Sequence, residues 1–154
     1  MAIAKNLEKL LKETKTKHKI IEHRKVFTAF DATQTQHLKA GEVAKAVLLK
    51  GKKELYLAVL PAGNNCDFKA LSKLIKDKVS MAKEKDIVSK LKTKVGLIAP
   101  FGSIYKLPVF LDKKLSRNKK INLPAGSYTE SLEIALKDYI KLENPTLGNF
   151  SKKK

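Results

Sequence analysis

The chain has 154 residues, 43% hydrophobic and 31% charged, a balance typical of a globular protein in which disorder is confined to the ends. Its single cysteine, Cys66, excludes a fold held by internal disulfides. The 33 lysines and arginines against 15 acidic residues give a formal net charge of +18, which favours a polyanionic partner such as nucleic acid. We expect one domain over residues 1–150 and a basic tail over residues 151–154.

The type of the basic residues limits what this charge indicates. Only Arg24 and Arg117 are arginines, and two-pronged recognition of phosphate or guanine usually employs arginine. The lysines therefore predict a diffuse positive field, and a solvated lysine-rich surface with no nucleic-acid role remains an alternative. Lys5 and Lys9 interrupt the segment that a signal peptide would need, and the apolar runs are too short to span a bilayer. We expect a cytoplasmic protein with no membrane association.

The first half of the chain predicts a helix followed by strands. Apolar residues recur at helical spacing over residues 3–14 while lysines lie on another face, which indicates a packed amphipathic helix. The segment 20–28 is typical of a strand, and a short helix is predicted within 31–39. Strands over 43–49 and 55–60 flank a short turn, which predicts a β-hairpin.

The second half predicts helices and strands in a mixed order. Asp67 is a suitable N-cap for a helix over 68–76, and another helix is predicted over 84–91. The segment 132–136 fits either a last strand or the start of the final helix. Glycines and a proline mark the loop 96–102, and strands are predicted over 107–111 and 120–123. This order predicts an α+β fold rather than a regular parallel stack.

Lys45 is the first candidate functional residue because it lies in the middle of an apolar strand. Alternation places it on the same face as Val43, Val47 and Leu49. Lysine is seldom buried without a partner or a task. The strand pattern leaves two interpretations open: the stem extends along the sheet to water, or the ammonium group has a function.

Other candidates carry weaker signals. The glycines and proline of the loop 96–102 allow backbone amides to approach a ligand closely, but the loop lacks the ending of a nucleotide-binding P-loop. Cys66 precedes a helix N-terminus, where its pKa could fall, although an inert thiol fits as well. Glu133 fits a functional carboxylate or a solvent-facing strand position. The three histidines and one cysteine lack zinc-ligand spacing, so no metal or cofactor is expected.

Seven segments occur in an order that resembles the YbaK / prolyl-tRNA synthetase-associated domain family of aminoacyl-tRNA deacylases. The resemblance covers roughly residues 20 to 143. The segments are Glu22-His23, Val43-Ala-Lys45-Ala-Val-Leu-Leu-Lys50, Leu57-Ala-Val-Leu-Pro61, Asp67-Phe-Lys-Ala-Leu71, Gly96-Leu-Ile-Ala-Pro100-Phe-Gly102, Leu107-Pro-Val-Phe-Leu-Asp112 and Ala125-Gly126.

The resemblance implies an α+β fold whose curved mixed sheet is partly closed like a barrel and surrounded by helices. It implies hydrolysis of the ester that joins a wrong amino acid to the tRNA 3′ end, with Lys45 as the catalytic residue and water as the attacking group. The implied partners are the acceptor end of mischarged tRNA and, as a second candidate, an aminoacyl-tRNA synthetase. The implied substrate-binding residues are Phe27, Gly96, Leu97, Ile98, Ala99, Pro100, Gly102, Gly126 and Glu133.

Two matters stay open from the sequence. Where some relatives have a tyrosine the chain has Ile21, and the stretch 125–130 differs from that of cysteinyl-editing members, so the amino acid removed is not indicated. A module that binds tRNA or oligonucleotide ends without turnover is the alternative function. Such a module would show salt-sensitive affinity for RNA and no deacylation.

Overall fold

Five helices and ten strands occur in the part of the chain that the computed structural model describes, residues 5–22, 43–93, 97–125 and 130–153. In chain order they are α1 (Lys5–Thr14), β1 (Lys19–Glu22), β2 (Ala44–Lys50), β3 (Leu55–Pro61), β4 (Asn64–Cys66), α2 (Phe68–Ile75), β5 (Ser80–Met81), α3 (Glu84–Leu91), α4 (Gly102–Tyr105), β6 (Val109–Asp112), a 3₁₀ turn (Leu115–Arg117), β7 (Lys120–Pro124), β8 (Glu130–Ala135), α5 (Leu136–Glu143), β9 (Thr146–Gly148) and β10 (Ser151–Lys153).

The predicted hairpin is the centre of a five-stranded sheet. β2 and β3 pair antiparallel, from Ala44 opposite Pro61 to Lys50 opposite Leu55, which confirms the hairpin. β6 adds parallel to β3, and β9 adds parallel to β6. With β5 on the free side of β2, the strand order is β5-β2-β3-β6-β9. The sheet is therefore mixed, as predicted.

A second, three-stranded antiparallel sheet has the order β1-β8-β7. A parallel backbone bridge between Val43 and Asn122 joins its β7 edge to the start of β2. The α+β class is thus confirmed. The predicted partial closure into a barrel is not observed: within the described residues these two sheets meet at one bridge and share no continuous hydrogen-bond ladder, so both are open. β4 and β10 form a third, two-stranded sheet.

The two faces of the five-stranded sheet are covered by different apolar clusters. The larger cluster includes Ala44, Leu48 and Leu57 of one face and packs against α1, α3 and the three-stranded sheet. The smaller cluster includes Leu49 and Leu60 of the other face and packs under α2. Side chains alternate between the faces along a strand, so the register decides which cluster each residue joins. By this parity Lys45 lies on the α2 face of the sheet.

α2 and α3 begin where the sequence predicts, whereas α4 was not predicted. Asp67 caps α2, because its Oδ1 accepts the backbone N–H of Ala70 at 3.1 Å. α3 has the predicted bounds, and its buried Ile87 and Leu91 face the larger cluster. The segment 132–136, which fits either a strand or a helix start, contains both: β8 ends at Ala135 and α5 begins at Leu136. The predicted helix within 31–39 and most of the predicted strand 20–28 lie outside the described residues.

Residues 146–153 add two strands that the sequence did not indicate. β9 extends the five-stranded sheet, and β10 pairs antiparallel with β4 so that Ser151 lies opposite Cys66. Phe150, between these strands, is completely buried in the smaller cluster. Residues 151–153, which belong to the expected basic tail, form a strand through backbone pairing with β4.

Candidate active site

Lys45 is a half-buried cation on the α2 face of the sheet. It pairs in register with Leu60 of β3, which belongs to the smaller apolar cluster. Its positive charge opposes the rise in the pKa of the Cys66 thiol, so the ammonium group is close enough to act on that thiol. The lysine that the strand pattern singled out is thus placed among buried groups on a rigid sheet.

Asp112 is a buried carboxylate on the same face. It follows Phe110 and Leu111 of β6, and continuing the β3–β6 register by one residue places it beside Leu60, the partner of Lys45. It is fully buried, with Oδ1 accepting the N–H of Lys114 at 2.8 Å and Oδ2 accepting the N–H of Phe150 at 3.1 Å. Two backbone N–H groups therefore bind the Asp112 carboxylate, which lies in line with Leu60 and Lys45 across three neighbouring strands.

Sequence reasoning did not identify Asp112 as part of this site. The one indication in the sequence is that Asp112 is the polar residue that ends the apolar segment 107–112. Its second donor, the N–H of Phe150, is 38 residues away, so no local pattern could show that the carboxylate is buried.

Cys66 is an inert thiol rather than an activated one. Burial raises its pKa to about 11, and the nearby negative charge of Asp112 adds to the rise while Lys45 opposes it. The predicted effect of the adjacent helix N-terminus is therefore outweighed by desolvation. The thiol stays protonated at neutral pH and provides no nucleophile.

The described part of the predicted substrate loop, residues 97–101, is buried and held by two tyrosines. Tyr105 accepts a hydrogen bond at its hydroxyl oxygen from the N–H of Ala99 at 3.1 Å. The hydroxyl of Tyr139, which is completely buried, donates to the carbonyl of Pro100. The Tyr139 ring also packs edge-on against Phe101, with 5.4 Å between ring centroids. These contacts fix the loop at two successive residues.

The loop side chains and Lys45 lie on different faces of the sheet. Ile98, Ala99 and Phe101 belong to the larger cluster, which also contains Ala44, whereas Lys45 faces the smaller one. Leu97 and Pro100 are buried as well. Within the described residues, the structure therefore does not bring the loop side chains and the lysine together on one face. Gly96, the first residue of the motif, lies outside the described residues.

Gly102 has a steric reason for being glycine. A Cβ there would lie 2.3 Å from the carbonyl oxygen of Leu107 and 2.4 Å from Cγ2 of Val109. Gly102 therefore lets α4 pack closely against the chain that leads into β6.

Ser103, which follows Gly102, binds the carboxylate of Glu143. It donates its N–H and its hydroxyl to Glu143 at 3.0 and 2.6 Å. Burial raises the pKa of Glu143, while the hydrogen bonds from Ser103 and Gly102 oppose the rise.

Glu133 lies in a polar row of the three-stranded sheet. It is in register with Asn122 of β7 and Lys19 of β1, and its Oε1 is 3.7 Å from Nζ of Lys120. Asn122 is buried and bridges to Val43, so this face continues into the face of β2 that carries Lys45. Buried Ser131 lies on the same side of β8 as Glu133. Sequence reasoning missed Asn122 and Ser131 because no local pattern shows that either polar side chain is buried.

Phe27 and Gly126, the remaining predicted site residues, lie outside the described residues. In the described ranges, no three His, Cys, Asp or Glu side chains are grouped so that they could hold a metal ion. No helix among those residues is both long and apolar enough to cross a membrane.

Comparison with solved structures shows the same fold in proteins of low sequence identity. A hypothetical protein, APE2540, superposes with a TM-score of 0.89 at 16% identity, covering 96% of this chain and 100% of its own. A provisionally assigned trans-editing enzyme for prolyl tRNA synthetase has a TM-score of 0.84 at 18% identity, with coverages of 98% and 99%. In a provisionally assigned signal transduction protein from Marinobacter aquaeolei the fold is one part of a longer chain: the TM-score is 0.77 at 17% identity, covering 97% of this chain and 31% of that one.

The sequence itself identifies the family. No significant match was found among curated proteins. The family model described as the aminoacyl-tRNA editing domain matches residues 23–142, which is most of the chain and includes Lys45, the loop 97–101 and Glu133. The resemblance found in the ordered motifs is thereby confirmed, and the chain belongs to the aminoacyl-tRNA editing domain family.

Proposed function

We propose that the protein is a deacylase that hydrolyses the ester between a wrong amino acid and the 3′-terminal ribose of tRNA. The observation that carries the proposal is Lys45, a half-buried cation on a rigid strand of a chain that belongs to the editing family. The similar fold of a provisionally assigned trans-editing enzyme for prolyl tRNA synthetase supports the same activity, and makes an aminoacyl-tRNA synthetase a candidate partner.

In the proposed reaction, water adds to the ester carbonyl and produces a tetrahedral oxyanion. The carbon–oxygen bond to the ribose then breaks, the ribose oxygen takes up the proton that the attacking water has lost, and the free amino acid and tRNA leave. The ammonium group of Lys45 stabilises the oxyanion or anchors the substrate beside it. Because partial burial excludes water from around this charge, its interaction with a developing negative charge is stronger than on an exposed surface.

Positioning supplies the rest of the rate in this proposal. An aminoacyl ester next to a ribose hydroxyl is already labile, so holding the ester and the water in place contributes much of the acceleration. The side chains of the described part of the loop lie on the other face of the sheet from Lys45, so only the loop backbone is assigned to the ester. We assign the backbone of residues 96–100 and Gly126 to the ester and terminal ribose, and Phe27 and Glu133 to the substrate. The tyrosine contacts at Ala99 and Pro100 support a rigid loop, and the polar row with Asn122 and Ser131 supports a polar ligand near Glu133.

The test is hydrolysis of a panel of mischarged tRNAs by the purified protein and by Lys45→Ala and Lys45→Met. Methionine keeps the apolar stem and removes the charge, so it separates packing from electrostatics. Removing one such group is expected to lower kcat by about 10²–10³-fold. Lys90→Ala, which removes an exposed lysine of α3, is the matched control and should retain parent activity.

Two results contradict the proposal. If none of the charged tRNAs is hydrolysed while tRNA is bound, the protein is a binding module. If Lys45→Met is as active as the parent, the mechanism assigned to the lysine is wrong.

A further inference from the structure

α2 carries an uncompensated stripe of positive charge. Lys69, Lys73 and Lys76 follow one another at spacings of four and three residues, and all three side chains are exposed. No acidic residue occurs between Phe68 and Lys76. Like charges at these spacings repel one another, which opposes the favourable interaction of Lys73 and Lys76 with the C-terminal end of the helix dipole.

The stripe borders a groove to which neighbouring segments contribute more lysines. Lys52 of the β2–β3 turn and Lys78, which follows α2, line the same groove of about 710 Å³, and we call these five lysines the lysine groove. Asp77 is the acidic residue that lines it, and its carboxylate accepts the N–H of Lys52 and the hydroxyl of Tyr56. The lysine groove therefore carries five positive charges against one negative charge.

The other long helices at the surface mix their charges. In α1, Lys9 and Glu13 form an i,i+4 ion pair at 3.9 Å. In α3, Glu84 and Asp86 occupy the first turn, and Asp86 lies 3.9 Å from the ammonium group of Lys50. In α5, Lys137 and Lys141 accompany Asp138 and Glu143. Among the described helices of eight residues or more, α2 is therefore the one whose lysines are not accompanied by an acidic residue within the helix.

The lysine groove lies on the side of the sheet that holds Lys45. α2 packs on Leu49 and Leu60, which share that face with Lys45, whereas α3 packs on the opposite face. Lys52 of the lysine groove follows Lys45 by seven residues, so their Cα atoms are at most about 23 Å apart at the rise of a strand. This distance corresponds to about seven nucleotide rises along a helix axis. A nucleic acid whose end reaches Lys45 can therefore place its next phosphates along α2.

We propose that the lysine groove binds the phosphate backbone of the tRNA acceptor arm while the aminoacylated 3′ end reaches Lys45. This inference rests on the proposed function for the nature of its ligand. Lysine ammonium groups contact phosphates as point charges and lack the two-pronged geometry of arginine. The lysine groove therefore contributes to the affinity and orientation of the bound tRNA and does not recognise bases.

The test compares two triple variants matched in charge and local structure. Lys69→Gln/Lys73→Gln/Lys76→Gln changes the α2 stripe, and Lys85→Gln/Lys90→Gln/Lys92→Gln changes exposed lysines of α3. Each set ends on a lysine in the left-handed conformation at the helix C-cap, with φ of 64° and 57°. Binding of uncharged tRNA is measured over a series of salt concentrations. We expect at least tenfold weaker binding for the α2 variant and a change below twofold for the α3 variant.

The salt dependence gives an independent readout. Each lost phosphate contact should reduce the slope of log affinity against log salt by about 0.7–0.9, so the α2 variant should lose about 2 units of slope. Hydrolysis adds a second readout, because KM for mischarged tRNA should rise with kcat unchanged. Cleavage of a short aminoacyl nucleoside ester, which cannot reach α2, should stay at the parent rate. The single variant Lys73→Gln, with a two- to threefold loss, serves if the triple variant does not fold.

The outcomes separate this inference from the proposed function. Equal tRNA affinity in the parent and the α2 variant overturns the lysine groove, even if hydrolysis is observed. Equal losses in the α2 and α3 variants overturn it too, because they indicate a general charge field. Salt-sensitive loss at α2 without hydrolysis of any ester supports the groove and contradicts the deacylase.

Discussion

The hydroxyl of Tyr139 offers a direct test of whether the loop before α4 must be held rigid. Tyr139→Phe removes the donor to the Pro100 carbonyl and keeps the ring that packs at 5.4 Å and 79° against Phe101. Tyr139 is completely buried, so the carbonyl loses its donor where water cannot replace it. A buried carbonyl oxygen that has lost its hydrogen-bond donor destabilises a protein by about 1–3 kcal/mol. At about 2 kcal/mol, Tm should fall by roughly 4–8 °C for a chain of this size.

The assay combines urea unfolding with hydrolysis of mischarged tRNA. The unfolding midpoint should fall at constant m-value, since the hydroxyl changes stability and not the surface exposed on unfolding. We also expect kcat/KM to fall about tenfold, because a small displacement of a positioning loop affects the reacting geometry strongly. Ile87→Val, which destabilises the core by about 0.5–1.5 kcal/mol and leaves the hydrogen bonds of the loop in place, is the control for instability alone and should retain parent activity.

Two results would refute this reasoning. A stability within about 0.3 kcal/mol of the parent, below the effect of an ordinary hydrogen bond, would show that the Tyr139 hydroxyl does not hold the loop. A clear loss of stability with unchanged kcat/KM would show that the loop is held but does not position the substrate.

Two further predictions concern Cys66 and Gly102. Because burial raises the pKa of Cys66 from 9.0 to about 11, its thiolate fraction at pH 8 should be about 100-fold below that of the unfolded chain, and alkylation should be slower by at least that factor. Because the folded state favours the neutral thiol, the raised pKa of Cys66 stabilises the protein below pH 9, and this stabilisation is lost as pH rises toward 11. If the stability of Cys66→Ala declines equally over this pH range, the assignment to the thiol is wrong. Gly102→Ala places a Cβ 2.3 Å from a backbone oxygen and should destabilise the protein by about 1–3 kcal/mol in urea unfolding, whereas parent-like stability would mean that this contact relaxes freely.

Local signals in the sequence predicted the elements that local interactions determine. The hairpin, the Asp67 cap and the bounds of α3 follow from alternation, a capping side chain and helical spacing. The face of Lys45 follows from strand parity, and register confirmed it. The likeness of the ordered motifs to the editing family was confirmed by the family match over residues 23–142.

What the sequence could not show depends on contacts between distant segments. Asp112 is buried because Phe150 returns beside it, and Cys66 is desolvated partly because β10 covers β4. One backbone bridge, between Val43 and Asn122, joins the five-stranded and three-stranded sheets, and no strand propensity predicts such a contact between distant segments. The roles of Lys45 and of the loop stay predictions until hydrolysis is measured.

The placement of Phe150 also affects how the protein is made. A ribosome synthesises residues 146–151 after β2, β3, β6 and α2, yet the N–H of Phe150 completes the shell around the Asp112 carboxylate and its ring fills the cluster under α2. Until that segment emerges, β6 has an open edge where β9 will pair, and a buried charge lacks one donor. A nascent chain stalled before residue 146 should therefore expose the face of Lys45 to chaperones and proteases.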